Sequence, residues 1–173
     1  MKRGFFAGSL VALLFALGLA QSDAFSIGQS YGGGIIFWID SSGQHGLIAA
    51  TSDQGFNREG SAAYHLWGTG TAIGTGASNT KKIILAEGQT LVYAARLCRD
   101  YRGGGYSDWF LPSKDEIYQL YLQKNVVGDF IRGAYWCSSE VDISTAWGKF
   151  FYNGTFAPSH KDRSNGIRAI RAF

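Results

Sequence analysis

The chain has 173 residues, 46% hydrophobic and 17% charged, with a formal net charge of +3. Five Trp, nine Tyr and twelve Phe exclude a disordered chain and provide for a sizeable buried core. The 24 glycines against two prolines call for a turn-rich fold with much β structure, and the length fits one domain at about 100 to 200 residues per domain.

Met1-Lys2-Arg3, the apolar run from Gly4 to Leu19 and the small residues ending at Ala20 follow the order of a secretory signal peptide. A run of about sixteen apolar residues is short of the ~20 that span a bilayer, so removal is expected rather than retention. Residues 1–20 are therefore assigned as the signal, with cleavage as late as residue 24, and 25–173 as the folded domain. Such a product works outside the cytoplasm with no membrane span, where nucleic acid is a poor partner. Loss of Lys2 and Arg3 lowers the net charge to +1, while residues 149–173 carry Lys149, Lys161, Arg163, Arg168 and Arg171 against Asp162 alone. That segment suits either an anionic partner or a solvated face with paired arginines.

Ile35 to Asp40 and His45 to Ala50 are apolar runs joined by Ser41-Ser42-Gly43-Gln44, which predicts an antiparallel hairpin. Residues 51–80 are rich in Gly, Ser and Thr without a sustained period and are expected to form a long ordered loop. Leu91, Ala94, Ala95 and Cys98 have helical spacing and end near Asp100, before Gly103-Gly104-Gly105. Ser113-Lys114-Asp115-Glu116 is a capping box opening a second helix with Ile117, Leu120 and Tyr121 on its buried stripe. Strand patterning returns at Ala134 to Ser138, Thr145 to Tyr152 and Gly166 to Phe173, with Asn153-Gly154 predicting a type I′ turn. Helices segregated from strands predict an α+β fold.

Chemical signatures are sparse. The run Gly68 to Gly76 lacks the Gly-Lys-Ser/Thr ending of a phosphate loop, and His45, His65 and His160 are too far apart for a linear zinc motif. Asp115-Glu116 opens a helix, where negative charge is stabilised, and is read as structural. Gly-x-Ser-x-Gly does not occur, and Cys137 beside Trp136 on an apolar strand reads as a buried thiol or half-cystine. No catalytic residue, metal site or cofactor is assigned. Cys98 and Cys137 either close a loop of about forty residues as a disulfide or stay as two buried thiols.

Five strings in one order resemble the C-terminal domain family of the Legionella collagen-like adhesin: Gly33 to Asp40, His45 to Ala50, Asp108-Trp109-Phe110-Leu111-Pro112-Ser113, Tyr135 to Glu140 and Ile167 to Phe173. The resemblance covers residues 31–173 and implies a C-type-lectin-like fold, with one twisted antiparallel sheet, two flanking helices and ligands met by loops. It also implies a non-catalytic adhesion module that binds sulfated glycosaminoglycans and forms trimers. The chain has no collagen-like Gly-X-Y region, and no Trp-Asn-Asp or Glu-Pro-Asn string, so calcium-dependent sugar binding is not implied.

With the recurring strings as framework, binding is expected between them. Tyr64, Trp67, Tyr152 and His160 would stack on a sugar face, and Lys149, Lys161 and Arg163 would pair with sulfate or carboxylate. Arg168 and Arg171 are assigned to structural ion pairs. The competing expectation is a structural or protein-binding subunit of the bacterial envelope with no glycan ligand.

Overall fold

The computed structural model describes residues 24–60 and 68–173, so the expected signal peptide, Tyr64 and Trp67 lie outside the described residues. The fold is α+β with two sheets rather than the single one expected. The first is antiparallel and joins β1 (Ser30–Tyr31), β2 (Gly34–Ile39), β3 (Gly46–Ala49) and the C-terminal β9 (Ile170–Ala172), in that order. The second has the order β4 (Gly55–Asn57), β8 (Asn165–Ile167), β5 (Ala134–Glu140), β6 (Thr145–Phe150), β7 (Phe156–His160). Its β5 and β8 run parallel through Tyr135 and Gly166, so the second sheet is mixed.

Among the described residues four α-helices lie between the sheet strands: α1 (Gly76–Glu87), α2 (Ala94–Asp100), α3 (Lys114–Leu122) and α4 (Lys124–Val127). The β2–β3 hairpin and the capped α3 stand where the sequence places them. Helix α1, by contrast, replaces the end of the expected loop. Its buried residues Gly76, Asn79, Thr80 and Ile83 have helical spacing, but three of the four are not hydrophobic. Asn79 exchanges hydrogen bonds with the backbone N–H and C=O of Gly70, and Thr80 Oγ1 does the same with Leu111. Polar burial of this kind is stable because each group is satisfied. It leaves no hydrophobic stripe for a sequence pattern to register.

Strand β7 was also missed, and it contains Pro158. Pro cannot donate to a ladder, and β7 tolerates it as an edge strand paired only with β6. The turn between them is longer than the expected two-residue type I′ turn. Lys149 pairs with Phe156, Gly154 takes φ +78°, and Asn153 is not left-handed. Gly154 N–H donates to Phe150 O, and Asn153 Oδ1 accepts from Thr155 N–H and Oγ1.

The two sheets share their core. Ile36 and Ile48 from the first pack in one cluster with Trp136, Ala146 and Ile167 from the second. Phe37, Leu47 and Ile170 likewise join Tyr135, Cys137 and Phe151 in another. Cys98 sits in the first cluster and Cys137 in the second, both free and buried, so the disulfide is not formed. Burial pushes both thiols well above the ordinary cysteine range.

The expected C-terminal strand is cut in two at Arg168-Ala169, where the chain passes from the second sheet to the first. Arg168 is 0% exposed. Its Nε donates to Asp53 Oδ1 at 2.7 Å, Nη1 to the carbonyls of Ala50 and Gly128, and Nη2 to the carbonyl of Asp129. The hydroxyl of Tyr135 donates to the other Asp53 oxygen at 2.6 Å and accepts from Ile131 N–H. Near the opposite end of β9, Arg171 forms a two-pronged pair with Asp108, both bonds 2.8 Å. Both arginines thus form structural ion pairs.

Arg168→Met is expected to cost about 3–5 kcal/mol in urea denaturation, because it leaves the Asp53 charge without its cation and three backbone carbonyls without their donor. Arg168→Lys should not rescue it, since an ammonium cannot reproduce the planar fork. Native protein should show no fast reaction with a thiol reagent, and both cysteines should react once it is unfolded; one reactive thiol in the native state would contradict their burial.

Candidate functional site

Among the described residues, those expected to bind ligand do not converge. Lys161 is buried, and its Nζ is hydrogen-bonded to Glu140 Oε1, itself buried. Lys149 is buried too: its Nζ donates to Gly154 O inside a cage of Tyr118, Tyr121 and Phe156, 4.2–4.8 Å from the ring centres. Burial lowers its pKa from the ordinary lysine value. Neither lysine meets solvent, so both assignments as ligand contacts are corrected. The physical reason is that each ammonium finds its partners within the chain, a carboxylate in one case and ring faces in the other.

Tyr152, His160 and Arg163 are exposed. Tyr152 lies at the closed end of the β6–β7 hairpin, while His160 pairs with Thr145 at its open end. At ~3.3 Å per residue β7 alone separates those ends by about 13 Å, so they cannot share one small subsite. With Arg168 and Arg171 internally paired, only Arg163 remains as an exposed cation of the basic C-terminal segment.

Tyr152 does open onto a cleft of about 460 Å³, lined also by Lys124, Asn125, Gly128, Asp129, Phe130, Ile131, Arg132 and Phe151. Three elements bring these groups together: α4, the 128–132 loop and the end of β6. Lys124 donates to Phe151 O at 2.9 Å and lies over the Tyr121 ring, which fixes its ammonium at one wall. Gly128 and Asp129 both take positive φ, 74° and 58°, and so turn their carbonyls onto the Arg168 guanidinium. Asp129 is the only described residue other than glycine in that region of backbone space. The next ring, Phe130, packs over the same guanidinium at 4.1 Å and against Phe151 at 4.7 Å. Ile131 N–H is held by Tyr135.

The loop is thus built from beneath by buried groups that never reach the cleft. Above them the cleft presents two cations (Lys124 and Arg132), an amide and a carboxylate (Asn125 and Asp129), and the rings of Phe130 and Tyr152. Tyr152 is 58% exposed and lies edge-on to Phe150. The set suits noncovalent capture of a polar ring with an anionic substituent: ring faces take C–H surfaces, cations take the anion, and Asn and Asp take hydroxyls. Among the described residues no group of three His, Cys, Asp or Glu could hold a metal ion. No helix among them is long and apolar enough to cross a membrane.

Of this cleft the sequence reading named only Tyr152. Lys124, Asn125, Asp129, Phe130 and Arg132 carry one local signal, a cluster of polar residues and glycines after α3, which by itself marks any loop. No family model matches the chain, and no curated protein matches it.

A second polar cluster lies around Lys161. Glu59 is buried there, its backbone N–H donating to Lys161 O, and no partner reaches its Oε1 among the described residues. Burial, with Glu140 and Glu87 nearby, raises its pKa from 4.5 to about 8 against the pull of Lys161. Folded protein therefore holds a proton that unfolded Glu59 releases. Stability is complete below pH 4.5 and is lost as pH rises toward about 8, at up to roughly 1.4 kcal/mol per pH unit. Glu59→Gln should abolish this slope in urea titrations between pH 5 and 8. A wild-type midpoint that stays flat over that interval would mean Glu59 folds as the anion.

Proposed function

We propose that residues 25–173 form an exported, C-type-lectin-like binding domain with no catalytic role, and that the 124–132 cleft takes an anionic or sulfated glycan. The observation that carries the reading is the placement of Lys124 and Arg132 beside the half-buried ring of Phe130 and the exposed ring of Tyr152 in one preformed cleft. Arg132 is exposed and makes no hydrogen bond or ion pair among the described residues, which leaves its N–H groups for a sulfate or carboxylate. Tyr152 supplies an apolar face on which a sugar ring can lie. A signal peptide at residues 1–20 and the resemblance to a surface adhesin domain support a ligand met outside the cell. Assembly into a homotrimer belongs to the same reading and would multiply weak single-site contacts.

Heparin affinity chromatography of the purified protein tests it. Retention should weaken with salt, and Arg132→Glu should lower affinity by about tenfold or more, as expected for loss of a charge-assisted pair. Tyr152→Ala should weaken binding without changing the salt slope. Arg163→Glu, at the other end of the hairpin, should leave retention near the wild-type value. Equal loss from Arg163→Glu and none from Arg132→Glu would move the site, and absence of retention by the parent protein would favour the envelope-subunit reading.

A further inference from the structure

A second cavity, of about 490 Å³, shares no lining residue with the cleft above. One wall is the outer face of α1, where Ala77, Thr80, Lys81, Ile84 and Leu85 recur at the i, i+3, i+4, i+7, i+8 spacing of a single helical stripe. The floor is Trp109 and Phe110 from the framework string ahead of α3, and Arg99 from the end of α2 and Ser107 complete the rim. Leu85 is 84% exposed, an unusual position for a leucine beside a concave apolar surface. The floor has no polar capacity left: Trp109 Nε1 donates to Gly103 O, and Thr80 Oγ1 is engaged with Leu111.

The rim is different. Lys81 is exposed and makes no hydrogen bond or ion pair among the described residues. Arg99 gives its Nε to Asp100, at 2.8 Å, and among the described residues neither of its Nη groups has a partner. Asp108, the one carboxylate among the lining residues, has both oxygens occupied by Arg171. An apolar trough is therefore bordered by two cations, with its single carboxylate already neutralised. The volume falls within the range of small-molecule sites.

We infer that the trough between α1 and residues 107–110 binds an amphipathic monoanion, with an acyl or similar apolar chain along Ile84, Leu85, Trp109 and Phe110 and a carboxylate at Lys81 and Arg99. The chain displaces water from the apolar wall, and the head group meets the Lys81 ammonium and the Nη groups of Arg99, whose Nε stays with Asp100.

Isothermal titration of the purified protein with decanoate, kept below its micelle concentration, tests the site. One saturable site per chain is expected, with butyrate binding at least about tenfold more weakly because it lacks the chain that covers the wall. Lys81→Glu should weaken decanoate by about fivefold or more through charge reversal at the rim. Leu85→Asp should weaken it by about tenfold or more, and neither exposed substitution should shift the melting temperature. Arg132→Glu should leave decanoate binding unchanged, so failure of this site and failure of the glycan cleft are separately readable. The inference is overturned if decanoate shows no saturable binding, if butyrate binds equally well, or if Leu85→Asp has no effect. It is also overturned if Leu85→Asp converts a dimer to a monomer in sedimentation, which would give the trough to a second copy.

Discussion

The buried guanidinium of Arg168 is the contact on which the two-sheet architecture turns. It stands at the step where the chain leaves β8 in one sheet and enters β9 in the other, a place with no ladder partners of its own. An unpaired charge there would cost several kcal/mol, and the cost is offset only by saturating the group: Asp53 on one edge, three carbonyls on the others, and the Phe130 ring over its face. These partners come from two separate parts of the chain. Residues 50–53 follow β3, residues 128–130 follow α4, and Tyr135 of β5 closes the circuit through Asp53. One side chain therefore ties the segment after β3 and the 128–132 loop to the step between the sheets.

That arrangement gives the cleft its rigidity. Asp129 adopts a left-handed backbone that costs an L-residue energy, and it is stabilised there because its carbonyl meets Arg168 from that conformation. Phe130 presents a ring to the cleft while its other face covers the guanidinium. A binding surface built this way loses little conformational freedom on meeting a ligand. The groups that touch solvent are few, and the groups that hold them are buried and charged.

The same logic recurs on the opposite side of α3. The Glu116 carboxylate accepts from the N–H of Ser113 at 2.7 Å and of Gly74 at 2.8 Å, while Ser113 Oγ donates to Ala72 O. A Cβ on Gly76 would come within 2.2 Å of Glu116 Oε2, so only glycine lets α1 begin against that carboxylate. Burial raises the Glu116 pKa, and these donors work against that shift. The glycine-rich segment before α1 is ordered here by a capping carboxylate, by Asn79, and by Ser139, whose hydroxyl donates to Gly70 O.

What the sequence determined by itself was whatever depends on neighbours along the chain. The β2–β3 hairpin, the Ser113–Glu116 capping box and the strand expected over Ala134 to Ser138 rest on local spacing, and each stands where that spacing puts it, the strand running on to Glu140. The α+β class follows from their order. Only the tertiary structure decided which charges face water. Lys149 and Lys161 look like surface cations in a basic segment, yet ring faces and Glu140, distant in sequence, take them inside. Helix α1 escaped for a related reason, since its buried stripe is polar and is satisfied by Gly70 and Leu111, which no local pattern pairs with it. Hydrophobic period and end caps are properties of a segment. The burial of a charged or polar group is a property of its partners, and those are assembled only when the chain folds.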